Sequence, residues 1–149
     1  MAEIASAAGE VALLLPSDLV RLLTGPCVAH FGTVQGGRPH VTPVWIEPAA
    51  NGHDLEVDIA ASTQKAVNIR RCPAVSISLT DPACSSTWYV IEGHVVATAL
   101  LTTDHNIQRL AVRNLGRRRQ NPELPRLLVT VRPARILCET GAQPRPGQA

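Results

Sequence analysis

Leu55-Glu56-Val57-Asp58-Ile59 alternates apolar and polar side chains, and Ala74-Val75-Ser76-Ile77-Ser78-Leu79 does so again. From Trp88 to Leu100 a longer β-prone run puts Tyr89, Ile91, Gly93 and Val95 on one face and Val90, Glu92, His94 and Val96 on the other. A period of two belongs to half-buried antiparallel strands, with one face on a core and the other toward solvent. Gly93, inside such a run, marks a bend or a place where another backbone comes close.

Turn chemistry divides the rest of the chain. Cys27 to Val34 is apolar and β-prone, Gln35-Gly36-Gly37 is a turn, and Arg38 to Glu47 resumes the pattern, so the pair reads as a hairpin. Pro39 and Pro43 have no N–H to donate. The second strand of the hairpin must therefore lie at an edge or carry a bulge, and a broken ladder leaves backbone groups free for a ligand. Residues 48–54, with Asn51-Gly52, and Asp81-Pro82 are further turns. Leu127 to Val131 and Ala134 to Cys138 make a last strand interrupted by Pro133. Ser17 can cap a short helix over 18–24, closed by Gly25, and Thr102-Thr103-Asp104 can cap a second through Leu115, closed by Gly116. Six or so strands with short helices between them and no βαβ alternation predict a mainly β fold, a closed or nearly closed antiparallel barrel.

The chain has 149 residues, which bounds it to one domain with enough length to bury a core. Residues 1–16 read as an alanine- and leucine-rich helical lead-in, 17–139 as the folded domain, and 140–149 as a disordered tail. A net charge of +2 from dispersed acids and bases names no partner, although Arg117-Arg118-Arg119 is a local basic spot. Only 3% of residues are aromatic, too few to offer nucleic-acid bases a stacking platform, so no nucleic-acid partner is expected. The four cysteines have no CxxC spacing and read as reduced thiols, with no metal site. Acidic residues stand where a signal peptide carries positive charge, and Val11 to Leu15 is too short to span a membrane. The expectation is a soluble, cytoplasmic protein without a membrane partner. A small barrel with few large side chains leaves surface for a second copy, which predicts a homodimer.

One residue stands out from this composition. Lys65 is the only lysine among fourteen basic residues. Lysine is a compact, movable point charge where arginine is a planar fork. Ser62 or Thr63 can cap a helix from about Gln64 to Arg71, which sets free backbone amides and the positive end of the helix dipole beside Lys65. That is the pattern of an anion site, most naturally for phosphate, and it is equally the pattern of an ordinary capped surface helix.

Three blocks, taken in order, decide between the two. Gly36-Gly37-Arg38-Pro39-His40-Val41-Thr42-Pro43-Val44-Trp45, then Ser62 to Ser78, then Val90-Ile91-Glu92-Gly93-His94-Val95 resemble the split-barrel flavin and deazaflavin reductases related to pyridoxamine 5'-phosphate oxidase. The resemblance covers about residues 18–138. It implies an FMN-binding split antiparallel β-barrel and a homodimer that holds its cofactors at the interface. It further implies that Lys65 pairs with the cofactor phosphate, with Ser62 and Thr63 beside it, and that Asn68 supports the loop or reaches the same ligand. Thr42, Pro43 and Val44 would border the ring, and Trp88 sits where some relatives present an aromatic from the other subunit.

The implied activity is that of an oxidoreductase passing a hydride between the deazaflavin F420 and a small unsaturated substrate. FMN is the alternative cofactor, and a non-catalytic cofactor- or tetrapyrrole-binding protein of the same fold is the alternative class. Some F420-using members carry an arginine where Thr63 stands, so one phosphate contact must come from elsewhere. The C-terminal extension of true pyridoxamine phosphate oxidases is missing, which removes vitamin B6 oxidation from the expectations. No residue is singled out as catalytic: His40 and His94 lie on ordinary strand positions, and hydride transfer asks for geometry and a dry pocket more than for an acid or base.

Overall fold

The structure is a computed structural model and describes residues 1–5 and 12–141. In chain order the elements are β1 (Ala2–Ala5), α1 (Ser17–Thr24), β2 (Val28–Gln35), β3 (Arg38–Pro48), β4 (Leu55–Ala60), α2 (Gln64–Arg71), β5 (Ala74–Asp81), β6 (Cys84–Leu101), α3 (His105–Leu115) and β7 (Arg126–Glu139). The strands form one antiparallel sheet in the order β1-β7-β4-β3-β2-β5-β6, and β6 pairs back onto β7. That last pairing closes six strands into a barrel, with β1 added outside on the C-terminal half of β7. Among the described residues no helix is long and apolar enough to cross a membrane.

The period-two runs become strands with the expected inward faces. Val57 and Ile59 of β4, Val75, Ile77 and Leu79 of β5, and Tyr89 and Ile91 of β6 are buried. They meet Ala29 and Phe31 from β2, Val44 and Ile46 from β3, and Val129, Val131 and Ile136 from β7 in one core, which α1 closes with Leu19 and Leu23. Phe31 is the only phenylalanine, so aliphatic side chains fill the interior.

Three sequence expectations meet a different structure. Ala2–Ala5 is a strand on β7, not part of a helical lead-in, because the open edge of a long strand offers it a ladder that local composition does not reveal. Residues 6–11 of that lead-in and 142–149 of the tail lie outside the described residues. Ser17 is the first residue of α1, and Pro16 occupies the N-cap. Pro133 does not interrupt the last strand, because the register against β6 slips by one residue between Glu92 and Gly93 and the bulge absorbs the proline.

The prolines of β3 have the consequence expected of them. Arg38 to Trp45 pairs with β2 along its whole length, but β3 meets β4 only through Ile46, Glu47 and Pro48. Beyond those residues the two strands part, so the second edge of β3 is open from Arg38 to Trp45. The barrel is split there.

Candidate functional site

Where β3 and β4 part, a cleft of about 460 Å³ opens. Pro43, Val44 and Trp45 form one wall, and Asp58, Ile59 and Ala60 form the other. Thr63 and Lys65 enter from the start of α2, Ile107 and Leu115 from α3, Arg119 and Glu123 from the loop that follows, and Arg126 from β7. The volume lies within the range of small-molecule sites, and an apolar floor with a few convergent charges is their usual character.

The start of α2 has the polarity that its sequence suggests. The amides of Ala66 and Val67 both donate to the carbonyl of Thr63, at 3.1 and 3.3 Å, which leaves the first two helical amides, those of Gln64 and Lys65, without a backbone acceptor. Neither candidate cap makes a side-chain cap bond. Thr63 Oγ1 donates instead to the carbonyl of Ala60 at 2.8 Å, and the Ser62 hydroxyl donates to the Glu123 carboxylate. Lys65 is half-buried and takes part in no ion pair among the described residues. Burial, and next to it the charge of Arg126, hold its amine below the usual lysine range.

The expected site residues divide. Pro43, Val44, Thr63 and Lys65 come together in the cleft. Ser62 is exposed and bonded to Glu123 at its rim. Thr42 does not line the cleft; its hydroxyl oxygen is buried, with no partner among the described residues. Asn68 is 1% exposed; its amide nitrogen donates to Thr33 Oγ1 at 3.0 Å and its oxygen accepts from Gln64 Nε2 at 2.8 Å. It faces a neighbouring cavity with Gln35, Arg38, His40 and Gln64. Asn68 thus props the first turn of α2 against β2. Trp88 stands on β6 opposite Thr80, away from the cleft of its own chain.

Sequence reasoning missed the charges that come from afar. Arg126 and Asp58 are a buried pair in the cleft wall, 68 positions apart, with Nε to Oδ1 at 2.7 Å. Arg119 lies over the Trp45 ring, 5.9 Å from its centroid. The triple arginine was the available signal for Arg119, but nothing local shows that α3 carries it to β3.

No protein-family model matches the chain, and no curated protein matches it. Solved structures do. An F420 reductase superposes with a TM-score of 0.73 at 27% identity, over 83% of this chain and 98% of that one. A conserved hypothetical protein of Mycobacterium tuberculosis gives 0.62 at 19% identity, over 86% of each chain. A putative pyridoxamine 5'-phosphate oxidase of Listeria innocua gives 0.57 at 18%, over 81% of this chain and 94% of its own. High coverage on both sides shows that the chain has the split β-barrel fold of the pyridoxamine 5'-phosphate oxidase-like proteins.

Proposed function

We propose that the chain is an oxidoreductase that uses F420 to pass a hydride to or from a small unsaturated substrate, working as a homodimer with the cofactor near the interface. The observation that carries this reading is the unpaired, half-buried Lys65 amine beside the two free amides of α2, in a cleft whose other wall is the open edge of β3. An anionic group suits the first feature, because helix-terminal amides and a lysine both favour negative charge. A flat polar ring suits the second, because an unpaired strand edge presents donors and acceptors in fixed order. The likeness to an F420 reductase favours the deazaflavin over FMN.

A bound deazaflavin supplies the hydride chemistry. The chain's own part is to hold and orient: Lys65 and the Gln64 and Lys65 amides take the phosphate, the β3 edge takes the ring, and Val44, Ile59 and Ile107 keep water away. No side chain of the cleft is required to move a proton in the hydride step.

The test is fluorescence titration of F420 and FMN into the purified protein and into Lys65→Ala. F420 is expected to bind, and the variant is expected to lose roughly tenfold or more in affinity, the worth of one charge-assisted contact. Binding of FMN in preference to F420 would move the assignment to an FMN-dependent oxidoreductase. If neither bound, or if Lys65→Ala bound as the parent does, the reading would fall.

A further inference from the structure

The three arginines after α3 do three different things. Arg117 is exposed, Arg118 reaches toward Asp104 Oδ2 at 3.9 Å, and Arg119 turns into the cleft over Trp45. The backbone of Arg119 is fixed. Its N–H donates to Gln108 Oε1 at 2.8 Å and its carbonyl accepts from Gln108 Nε2 at 3.0 Å, while the same nitrogen donates to Asp104 Oδ2 at 3.0 Å. Gln108 is only 4% exposed. A buried amide in the middle of α3 therefore holds one loop residue, and that residue is the one whose guanidinium joins the cleft.

Five charged groups face this space: Lys65, Arg119 and Arg126 against Asp58 and Glu123. Arg126 spends its charge on Asp58, and its remaining donors go to the carbonyls of Asp58 and Glu123. The Glu123 carboxylate takes the Ser62 hydroxyl. Lys65 and Arg119 are left, and among the described residues neither is in an ion pair. They enter from different elements, Lys65 from α2 and Arg119 from the loop after α3. Both line the one cleft, so an anionic group bound there would lie in the field of both.

We infer that Arg119 is the second ligand-reading cation of the cleft and that, with Lys65, it selects ligands carrying a phosphate or carboxylate tail over the same ring without one. This rests on the cofactor reading above and deepens it. It also supplies, from the loop after α3, the positive contact that Thr63 does not provide at the start of α2. Arginine suits the place, since its planar fork can stack on an indole and still direct N–H groups at an oxyanion.

The experiment compares a tailed ligand with its tailless ring, FMN against riboflavin and F420 against the bare deazaflavin, in wild type, Arg119→Ala, Arg119→Lys and Lys65→Ala. Arg119→Ala is expected to bind the tailed ligand roughly three- to tenfold more weakly, with riboflavin or bare deazaflavin affinity changed less than about twofold. Arg119→Lys should recover part of the loss, and added salt should shrink the difference between wild type and Arg119→Ala. Equal losses for tailed and tailless ligands would mean that Arg119 only packs Trp45, and the inference would be wrong. So would unchanged binding in Arg119→Ala where Lys65→Ala binds weakly, and that result would leave the cofactor reading intact. Absence of any binding by the wild type would overturn both.

Discussion

Arg126 and Asp58 meet in the wall of the cleft with both side chains buried, Nε donating to Oδ1 at 2.7 Å and Asn106 Nδ2 donating to Oδ2 at 2.9 Å. The pair fastens β7 to β4 where those strands border the split, and it places a cation beside Lys65 without offering that charge to a ligand. Removing one partner strands the other in a place that water reaches poorly. Arg126→Ala is expected to cost about 3–5 kcal/mol of stability, the usual penalty for an uncompensated buried charge. Replacing both residues by apolar ones of similar size should recover most of it. Urea denaturation of the single and double variants checks this; a double variant no more stable than Arg126→Ala would show that the pair does more than cancel itself.

Lys65 is held at a cost. Its lowered amine pKa means that the folded state disfavours the charged form, chiefly through burial and then through Arg126. The unfolded chain therefore binds more protons between the folded and unfolded lysine values, and this contribution to stability rises with pH across that window. Lys65→Met should accordingly melt at or slightly above the wild-type temperature near neutral pH while binding anionic ligands more weakly. Stability gained where function is lost is the mark of a site residue. A clear fall in melting temperature would instead make the lysine a structural element.

Asp54, in the turn before β4, links stability to acid pH. Burial pushes its carboxyl pKa up, but hydrogen bonds from Arg132, at 3.0 Å to each oxygen, and from Asn51, at 2.8 Å, outweigh this and hold it below the ordinary carboxylate range. A depressed folded pKa gives stability that is present above the unfolded value, about 3.9, and is lost as pH falls through the folded one. Asp54→Asn should be destabilised at neutral pH and should lose less than wild type as pH falls below the ordinary carboxylate range. Parallel losses of the two proteins over that fall, in pH-dependent denaturation, would contradict the assignment.

Much of this was legible beforehand, and the reasons differ by residue. The strands could be read because Val57, Ile77 and Ile91 each sit in a two-residue rhythm that needs no knowledge of a partner. The open edge of β3 could be read because Pro39 and Pro43 lack a donor wherever they stand. Lys65 could be read from a composition that otherwise avoids lysine. Asp58 could not: in an alternating strand it passes for a solvent-facing residue, and only its pairing with Arg126, from the far end of the chain, shows why an acid is buried there. Arg119 was hidden for the same reason, and β1 because an edge strand depends on the neighbour that accepts it. Thr42 precedes the cleft-lining Pro43 and Val44 but does not itself line the cleft, and only the folded chain shows that its hydroxyl is buried.

That buried hydroxyl carries a prediction of its own. Among the described residues Thr42 Oγ1 has no hydrogen-bond partner, so the fold bears its desolvation without return. Thr42→Val keeps the shape and removes the unpaired oxygen, and a gain of up to about 1 kcal/mol is expected with ligand affinity unchanged. A loss of stability in thermal melts would mean that the hydroxyl is satisfied in solution.

Gly93 joins sequence and structure most directly. A glycine in the middle of a β-prone run marks either a bend or a close approach, and here it is the approach: a Cβ built on Gly93 would stand 2.2 Å from the carbonyl oxygen of Arg132 and 3.0 Å from the Cα of Pro133. Those are backbone atoms of the facing strand, so no side chain can swing aside. The contact falls at the register slip between β6 and β7, where the bulge that accommodates Pro133 draws the two strands together. Gly93→Ala must therefore push apart the longest pairing in the barrel, and a loss of about 2–3 kcal/mol is expected, the upper range for overpacking. For a chain of this size that corresponds to a fall in melting temperature of roughly 5–10 °C. Because the strain enters at the β6–β7 seam and not at the cleft, cofactor affinity of the variant at a temperature where it stays folded should match wild type. A variant that melts normally would show that the seam can open without cost, and one that folds but binds poorly would show that the seam and the cleft are coupled.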